Sequence, residues 1–296
     1  MTLRPGLLSP LRIAPGLAGT VTLMALLSVP GPALGHGGHA DRVAALDTQI
    51  ETAPGEAILW VDRAAIHLDH ADFEAALSDL DRAAELDAGL AEVEAFRGRV
   101  LLRLGRLPQA DAALVRALSL RPGDVPALLV RARVREALRQ PIAAAADYSE
   151  VIALAPRPGP EPYLERARVL AAAGARHWVE ALAGLEQGRE RLGSLLALEL
   201  AALELELRLE RVEAALQRLE RATTHFARQE HWLVRRAEIL VRAGRSDEAY
   251  ASYAKALQRI EDLPAHLRHS AAVESLYTQA QASMQQLRAA SGEGRG

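Results

Sequence analysis

The chain has 296 residues and a formal net charge of −3, from 35 basic and 38 acidic side chains. This balance argues against a general nucleic-acid-binding protein, which needs a surplus of positive charge to neutralise phosphates. The chain contains no cysteine, which excludes disulfides, thiol catalysis and cysteine-ligated zinc or iron–sulfur sites. Alanine, leucine and arginine dominate and only 4% of residues are aromatic, so we expect closely packed helices.

The first predicted element is an export signal over residues 1–35. Two arginines and no acidic residue begin it, an apolar stretch over 17–29 follows, and small residues at 33 and 35 suit a signal peptidase. The apolar stretch is shorter than the roughly 20 residues needed to span a bilayer. We therefore predict cleavage after Gly35 and a periplasmic or secreted protein, with an uncleaved membrane anchor as the alternative. No later segment predicts a membrane span.

Residues 36–56 are predicted to form a flexible segment and a short helix over 41–52. The segment begins with His36-Gly37-Gly38-His39. If cleavage follows Gly35, the new amino group and the His36 ring can chelate copper(II) or nickel(II), with His39 on a glycine tether. The alternative is a soft linker exposed to the peptidase. The sequence thus leaves open a copper or nickel site at His36 and His39, and predicts no other cofactor.

A 34-residue period begins at residue 57. The blocks 57–90, 91–124 and 125–158 share one pattern of small and large residues, in which Ala76, Ala110 and Ala144 occupy equivalent positions. Each block reads as a helix A, a short turn and a helix B. A fixed period near 34 residues indicates stacked helical hairpins instead of a single globular core.

Three less regular blocks extend the array to residue 263. Block four starts one residue late, after a proline-rich joint over 156–162, and its helix B over about 179–192 is expected to be weakened by Gly184 and Gly188. Blocks five and six cover 196–229 and 230–263. A helix over 264–288 is predicted to cap the last hairpin, since an array must hide the apolar face of its final repeat. The tail 289–296 is small and polar, and is predicted to be disordered.

This pattern resembles the tetratricopeptide repeat (TPR) family. Block two matches the family's landmark positions best, with Arg97, Gly98, Leu101, Gly105, Ala110, Leu114, Ala117 and Pro122, and block one has Trp60 at the family's tryptophan position. The resemblance implies an all-α, right-handed α-solenoid of about six hairpins over 57–263 plus the C-terminal capping helix.

The chain departs from the family by placing arginine where a large apolar residue is usual in helix A. We expect these side chains to lay their stems along the helix and keep their charged heads in water. They are Arg63, Arg97, Arg131, Arg166 and Arg236.

Signals for catalysis are lacking. The chain has no Gly-x-Ser-x-Gly elbow and no phosphate-cradling glycine loop. Acidic residues alternate with arginine on helical faces, as is typical of solvated surfaces. The pairs His67/His70 and His266/His269 lack an evident third metal ligand and are interpreted as surface residues. We therefore predict that the protein is not an enzyme, with an accessory domain for a catalytic partner as one alternative.

The resemblance implies that the A helices line a concave groove that holds a partner's peptide. Arg99, Arg133 and Arg168 occupy equivalent positions in three adjacent blocks, and such a ladder suits carboxylates of an acidic motif or a peptide C-terminus. The alternative is that these arginines pair with Glu136 and Glu165 and bind nothing. The predicted groove residues are Arg99, Leu102, Arg103, Leu129, Arg133, Leu164, Arg168, Arg208 and Arg242. The sequence therefore predicts a non-catalytic scaffold for protein or peptide binding, with metal handling at the N-terminus as the alternative.

Overall fold

The computed structural model describes residues 37–293, except for a few side chains near both ends, so the predicted export signal lies outside the described residues. Every regular element in that range is helical. The α-helices are α1 (Gly37–Thr52), α2 (Ala57–Asp69), α3 (Phe73–Leu86), α4 (Ala91–Arg103), α5 (Leu107–Leu120), α6 (Val125–Ala137), α7 (Pro141–Leu154), α8 (Glu161–Ala172), α9 (Trp178–Leu192), α10 (Leu196–Arg208), α11 (Val212–His225), α12 (Glu230–Arg242), α13 (Ser246–Glu261), α14 (Ala265–Arg268) and α15 (Ala271–Glu293). None of the described helices is long and apolar enough to cross a bilayer.

Helices α2 to α13 form the six predicted hairpins, which stack one after another into an all-α solenoid. Each A helix packs against the B helix that follows it, and each B helix contacts the next A helix. The small residues that carry the period lie at these contacts: Ala76, Ala110 and Ala144 are fully buried. At Gly98, a Cβ would lie 2.5 Å from Leu114 Cγ, so only glycine lets α4 approach α5 this closely.

One backbone conformation closes five of the six hairpins. In these five blocks the residue at position 15 has a positive φ. It is a glycine in two of them (Gly105 and Gly244, both 71°) and a non-glycine residue in the other three (Ala71, Arg139 and Glu210, 56–61°). The next amide N–H donates to a carbonyl five residues earlier, as from Arg106 to Leu101 at 2.9 Å. This is a Schellman C-cap, which satisfies helix-end carbonyls and reverses the chain.

The stack curves toward the A helices. Helix α2 contacts α4, α4 contacts α6 and α8 contacts α10, whereas the described B helices make no comparable contact with one another. Closer spacing on the A side makes that side the inner surface of the solenoid. The side chains that the A helices direct away from their B partners therefore line this inner surface.

The expectation that the helix A arginines keep their heads in water is wrong for Arg63 and Arg131, which pair with buried carboxylates. Arg97 and Arg166 are as little exposed, at 20% and 19%, but pair with exposed carboxylates. Arg63 donates to Asp79 at 2.6 and 2.9 Å, and Arg131 donates to Asp147 at 2.7 Å. These guanidinium side chains are only 19% and 14% exposed, and Asp147 is 2% exposed. Each acid lies 16 residues after its arginine, so the pair ties helix A to helix B within a hairpin. Arg236 repeats this spacing with Ser252, at 2.7 Å.

A second buried ion cluster joins the fourth and fifth hairpins. Arg218 on α11 is 2% exposed and donates to Glu199 at 2.6 Å and to Glu206 at 2.8 and 2.9 Å, both on α10. It also contacts Glu186 on α9. One cation thus satisfies carboxylates from two neighbouring helices, and it fixes their relative positions.

Block four and the cap differ in detail from the sequence expectation. The glycines of α9 serve packing, since a Cβ at Gly188 would lie 3.0 Å from the Tyr163 ring and one at Gly184 would lie 3.1 Å from the Arg166 guanidinium.

The capping segment is present but is interrupted after α14, and α15 alone packs along α13 with Ala280 buried. The first helix, α1, begins at Gly37, four residues before the expected start, and packs on α2.

Candidate functional site

The direction of Arg133 follows from the geometry of α6. Arg131 and Arg135 are one turn apart and both bind the buried Asp147, with Arg135 Nη1 at 2.8 Å from its Oδ1. Arg133 lies midway between them in sequence, which places it about 200° around the helix. It is exposed accordingly, on the side of α6 that faces away from Asp147. The buried ion pair therefore fixes the rotation of α6 and presents Arg133 on the inner surface.

The proline-rich joint opens a cleft between α6 and α8. Prolines at 156, 158 and 160 stop α7 from continuing, and α8 begins two residues later than the period requires. Helices α6 and α8 consequently contact each other less than α4 and α6 do. The space between them is a cleft of about 660 Å³, which we call the joint cleft. Its apolar lining comprises Val125, Leu129, Val151, Ala155, Pro158 and Pro162.

Two of the predicted ladder arginines, Arg133 and Arg168, lie in the joint cleft. Arg168 pairs with Glu136 and with Glu165, whose Oε2 accepts from its Nε at 2.7 Å. Desolvation lowers the pKa of Arg168, but the hydrogen bonds from these two carboxylates outweigh it and the pKa is raised. The alternative interpretation, that the arginines pair with Glu136 and Glu165, therefore describes Arg168.

Arg133 differs from Arg168, although both occupy the same repeat position. It lines the joint cleft, is exposed, and makes no hydrogen bond or ion pair with any described residue. The joint cleft thus combines an apolar lining with one guanidinium on α6 that has no ion-pair partner among the described residues.

Tyr148 forms the polar part of the joint cleft, and the sequence analysis did not identify it as a site residue. Its hydroxyl donates to Glu136 Oε1 at 2.8 Å. Burial raises the pKa of Tyr148 above its ordinary value of 10.0, and the hydrogen bond and negative charge of Glu136 raise it further. The Arg133 charge acts in the opposite direction, which places it within electrostatic reach of the hydroxyl. Tyr148 therefore stays neutral and holds Glu136 in place.

The remaining predicted arginines have different environments. Arg99 lies 4.6 Å from the Phe96 ring and Arg103 lies 5.7 Å from the Phe73 ring, both in cation–π geometry. Arg208 donates to Glu204 at 3.1 Å and is held by a residue of its own helix. Arg242 is exposed and makes no hydrogen bond or ion pair with a described residue. The arginines thus do not form a uniform ladder along the inner surface.

The predicted leucines also differ in position. Leu129 and Leu164 both pack against the core cluster of α6 to α10, but of these two only Leu129 lines the joint cleft. Leu102 packs against the core between α4 and α7 and is half-buried. Leu129 is therefore the only one of the three in the joint cleft.

The predicted metal ligands cannot be placed, since His36 and the side chain of His39 lie outside the described residues. That site stays a prediction. Among the residues that the structure describes, no group of three or more histidine, aspartate or glutamate side chains is arranged to hold a metal ion.

No protein-family model matches the sequence, and no curated protein matches it either. The structure is similar to YrrB, a TPR protein with an unusual peptide-binding site, at 22% identity and a TM-score of 0.52, covering 62% of this chain and 92% of that chain. It is also similar to a chain of the Naa15/Naa10 complex bound to HypK-THB, at 16% identity and a TM-score of 0.55, covering 83% of this chain but only 37% of that chain. These likenesses establish the fold as that of TPR proteins.

Proposed function

We propose that this protein is a non-catalytic scaffold that binds a carboxylate-bearing segment of a partner protein along the inner surface of the solenoid. The observation that carries the proposal is Arg133, a guanidinium that is exposed on this surface without a partner and lies beside an apolar cleft. Arg99 and Arg242 add positive charge on other A helices. The similarity to YrrB, a TPR protein with a peptide-binding site, supports this use of the fold.

Charge reversal on the inner surface tests the proposal. The variant Arg99→Glu/Arg133→Glu should lose the partner proteins that the wild type retains in pull-downs from its native extract, while its helical circular dichroism is unchanged. The matched control is Arg221→Glu/Arg259→Glu, which reverses two exposed arginines on the B helices α11 and α13. Equal recovery of every partner by wild type and the inner-surface variant would refute the proposal.

We further propose that the scaffold works in the cell envelope, because residues 1–35 have the composition of a cleavable export signal. N-terminal sequencing of the protein recovered from the cell envelope or the medium should begin at His36. A chain that retains residues 1–35 in the membrane fraction would support the anchored alternative. A chain found only in the cytoplasm would refute export.

A further inference from the structure

We propose that the joint cleft binds the C-terminal residue of the partner, with its apolar side chain in the cleft and its terminal carboxylate on Arg133. This inference rests on the proposed function and specifies the ligand of the same surface. It depends on the joint between blocks three and four, where α6 and α8 contact each other less than α2 and α4 or α4 and α6 do.

The apolar lining and the size of the joint cleft determine the side chain that it accepts. Six apolar residues from α6, α7, the joint and α8 form the apolar part of a cleft of about 660 Å³. This volume is within the range of small-ligand pockets and exceeds that of one large side chain. Pro158 and Pro162 make one wall rigid, since their backbone angles are restricted. An aliphatic or aromatic side chain with its adjoining backbone therefore matches the cleft.

The charges in the joint cleft favour a single carboxylate over an acidic motif. Glu136 and Glu165 are bound by Arg168, so these three groups carry one negative charge in total. Glu161 adds a further carboxylate and Arg157 a further guanidinium at the joint. The cleft's three glutamates balance its three arginines, so it has no net positive charge to attract a run of acidic side chains. One carboxylate on Arg133 needs no such net charge, and the only residue that joins a carboxylate to an apolar side chain is a C-terminal one.

N-acetyl-L-leucine is the smallest probe that contains both proposed features, and N-acetyl-L-leucinamide lacks only the charge. Backbone amide NMR titrations of the full chain should shift signals of the joint and of the first turn of α8 with the carboxylate probe, at roughly millimolar affinity. The amide probe should bind about fivefold more weakly, because an exposed ion pair increases affinity by no more than about that factor.

Two variants and their controls separate the side-chain contact from the charge contact. Arg133→Leu should remove the difference between the two probes, whereas Arg221→Leu, at an exposed position of the B helix α11, should preserve it. Ala155→Leu extends a side chain into the joint cleft and should weaken both probes about tenfold. Ala153→Leu, at an exposed position near the end of α7 and outside the cleft, should change neither affinity.

The inference is overturned if the two probes bind equally to the wild type, if neither binds, or if the shifted signals lie away from the joint. It is also overturned if Ala155→Leu, with wild-type helicity, binds both probes as well as Ala153→Leu does. In those cases, loss of partners by Arg99→Glu/Arg133→Glu would leave the scaffold function standing. Retention of all partners by that variant would refute the function itself.

Discussion

Replacing Asp147 by alanine should be among the most damaging single changes in the array. Asp147 is 2% exposed and binds two guanidinium groups, those of Arg131 and Arg135, which are 14% and 18% exposed. Its removal leaves both cations nearly buried, with only Arg135 retaining another carboxylate, Asp111 at 3.2 Å. Breaking a buried pair typically costs about 3–5 kcal/mol. The remaining Asp111 contact places our expectation at the low end, about 3 kcal/mol.

Urea unfolding followed by circular dichroism measures this effect. With an m-value of about 3 kcal/mol per molar, the midpoint of Asp147→Ala should fall by about 1 M. Asp81→Ala is the control, since Asp81 also pairs with a helix A arginine, Arg97 at 2.6 Å, but is 66% exposed. That control should lose less than about 1 kcal/mol. Equal midpoints for the two variants would refute the view that burial of the ion pair, and not only its charges, stabilises the contact between α6 and α7.

Two further predictions concern groups buried beside charges. The pKa of Tyr148 is raised in the folded state, so the neutral side chain contributes its full stabilisation below pH 10.0 and loses it as the pH rises further. Glu136→Gln should lower the pKa of Tyr148, as measured by tyrosinate absorbance. An unchanged titration would contradict the hydrogen bond between Tyr148 and Glu136. Arg218→Met leaves Glu199 and Glu206 buried without a cation, so it should cost about 3–5 kcal/mol at pH 7 in urea unfolding. Arg221→Met, at an exposed position of the same helix, should cost less than about 1 kcal/mol, and equal losses would contradict the role of the buried cluster.

The repeat period was sufficient to predict the hairpins, because each small residue at a helix contact recurs where the geometry requires it. It did not reveal the environment of the helix A arginines. Arg131 reads as a surface residue until the sequence is aligned by blocks and Asp147 is seen 16 residues later, at the position that Asp79 occupies relative to Arg63. The same limit applied to Gly188, whose role depends on the ring of Tyr163 in another helix.

The candidate site was predicted only in part, because its shape depends on the spacing between helices. The proline-rich joint was visible in the sequence, but the joint cleft exists because α6 and α8 are held apart in space. Arg133 and Arg168 occupy the same repeat position. Only Arg168 forms ion pairs, with Glu136 and with Glu165, which lies three residues before it. Position in the repeat thus predicts the surface on which a side chain lies, while its availability to a ligand depends on neighbouring charges.

Hydrogen–deuterium exchange on the protein with a captured partner tests the central claim most directly. Binding along the inner surface should slow amide exchange in α4, α6, α8 and the joint, and leave the outer B helices α5 and α11 unchanged. Arg99→Glu/Arg133→Glu should abolish that protection. Slowed exchange confined to the B helices would contradict the account.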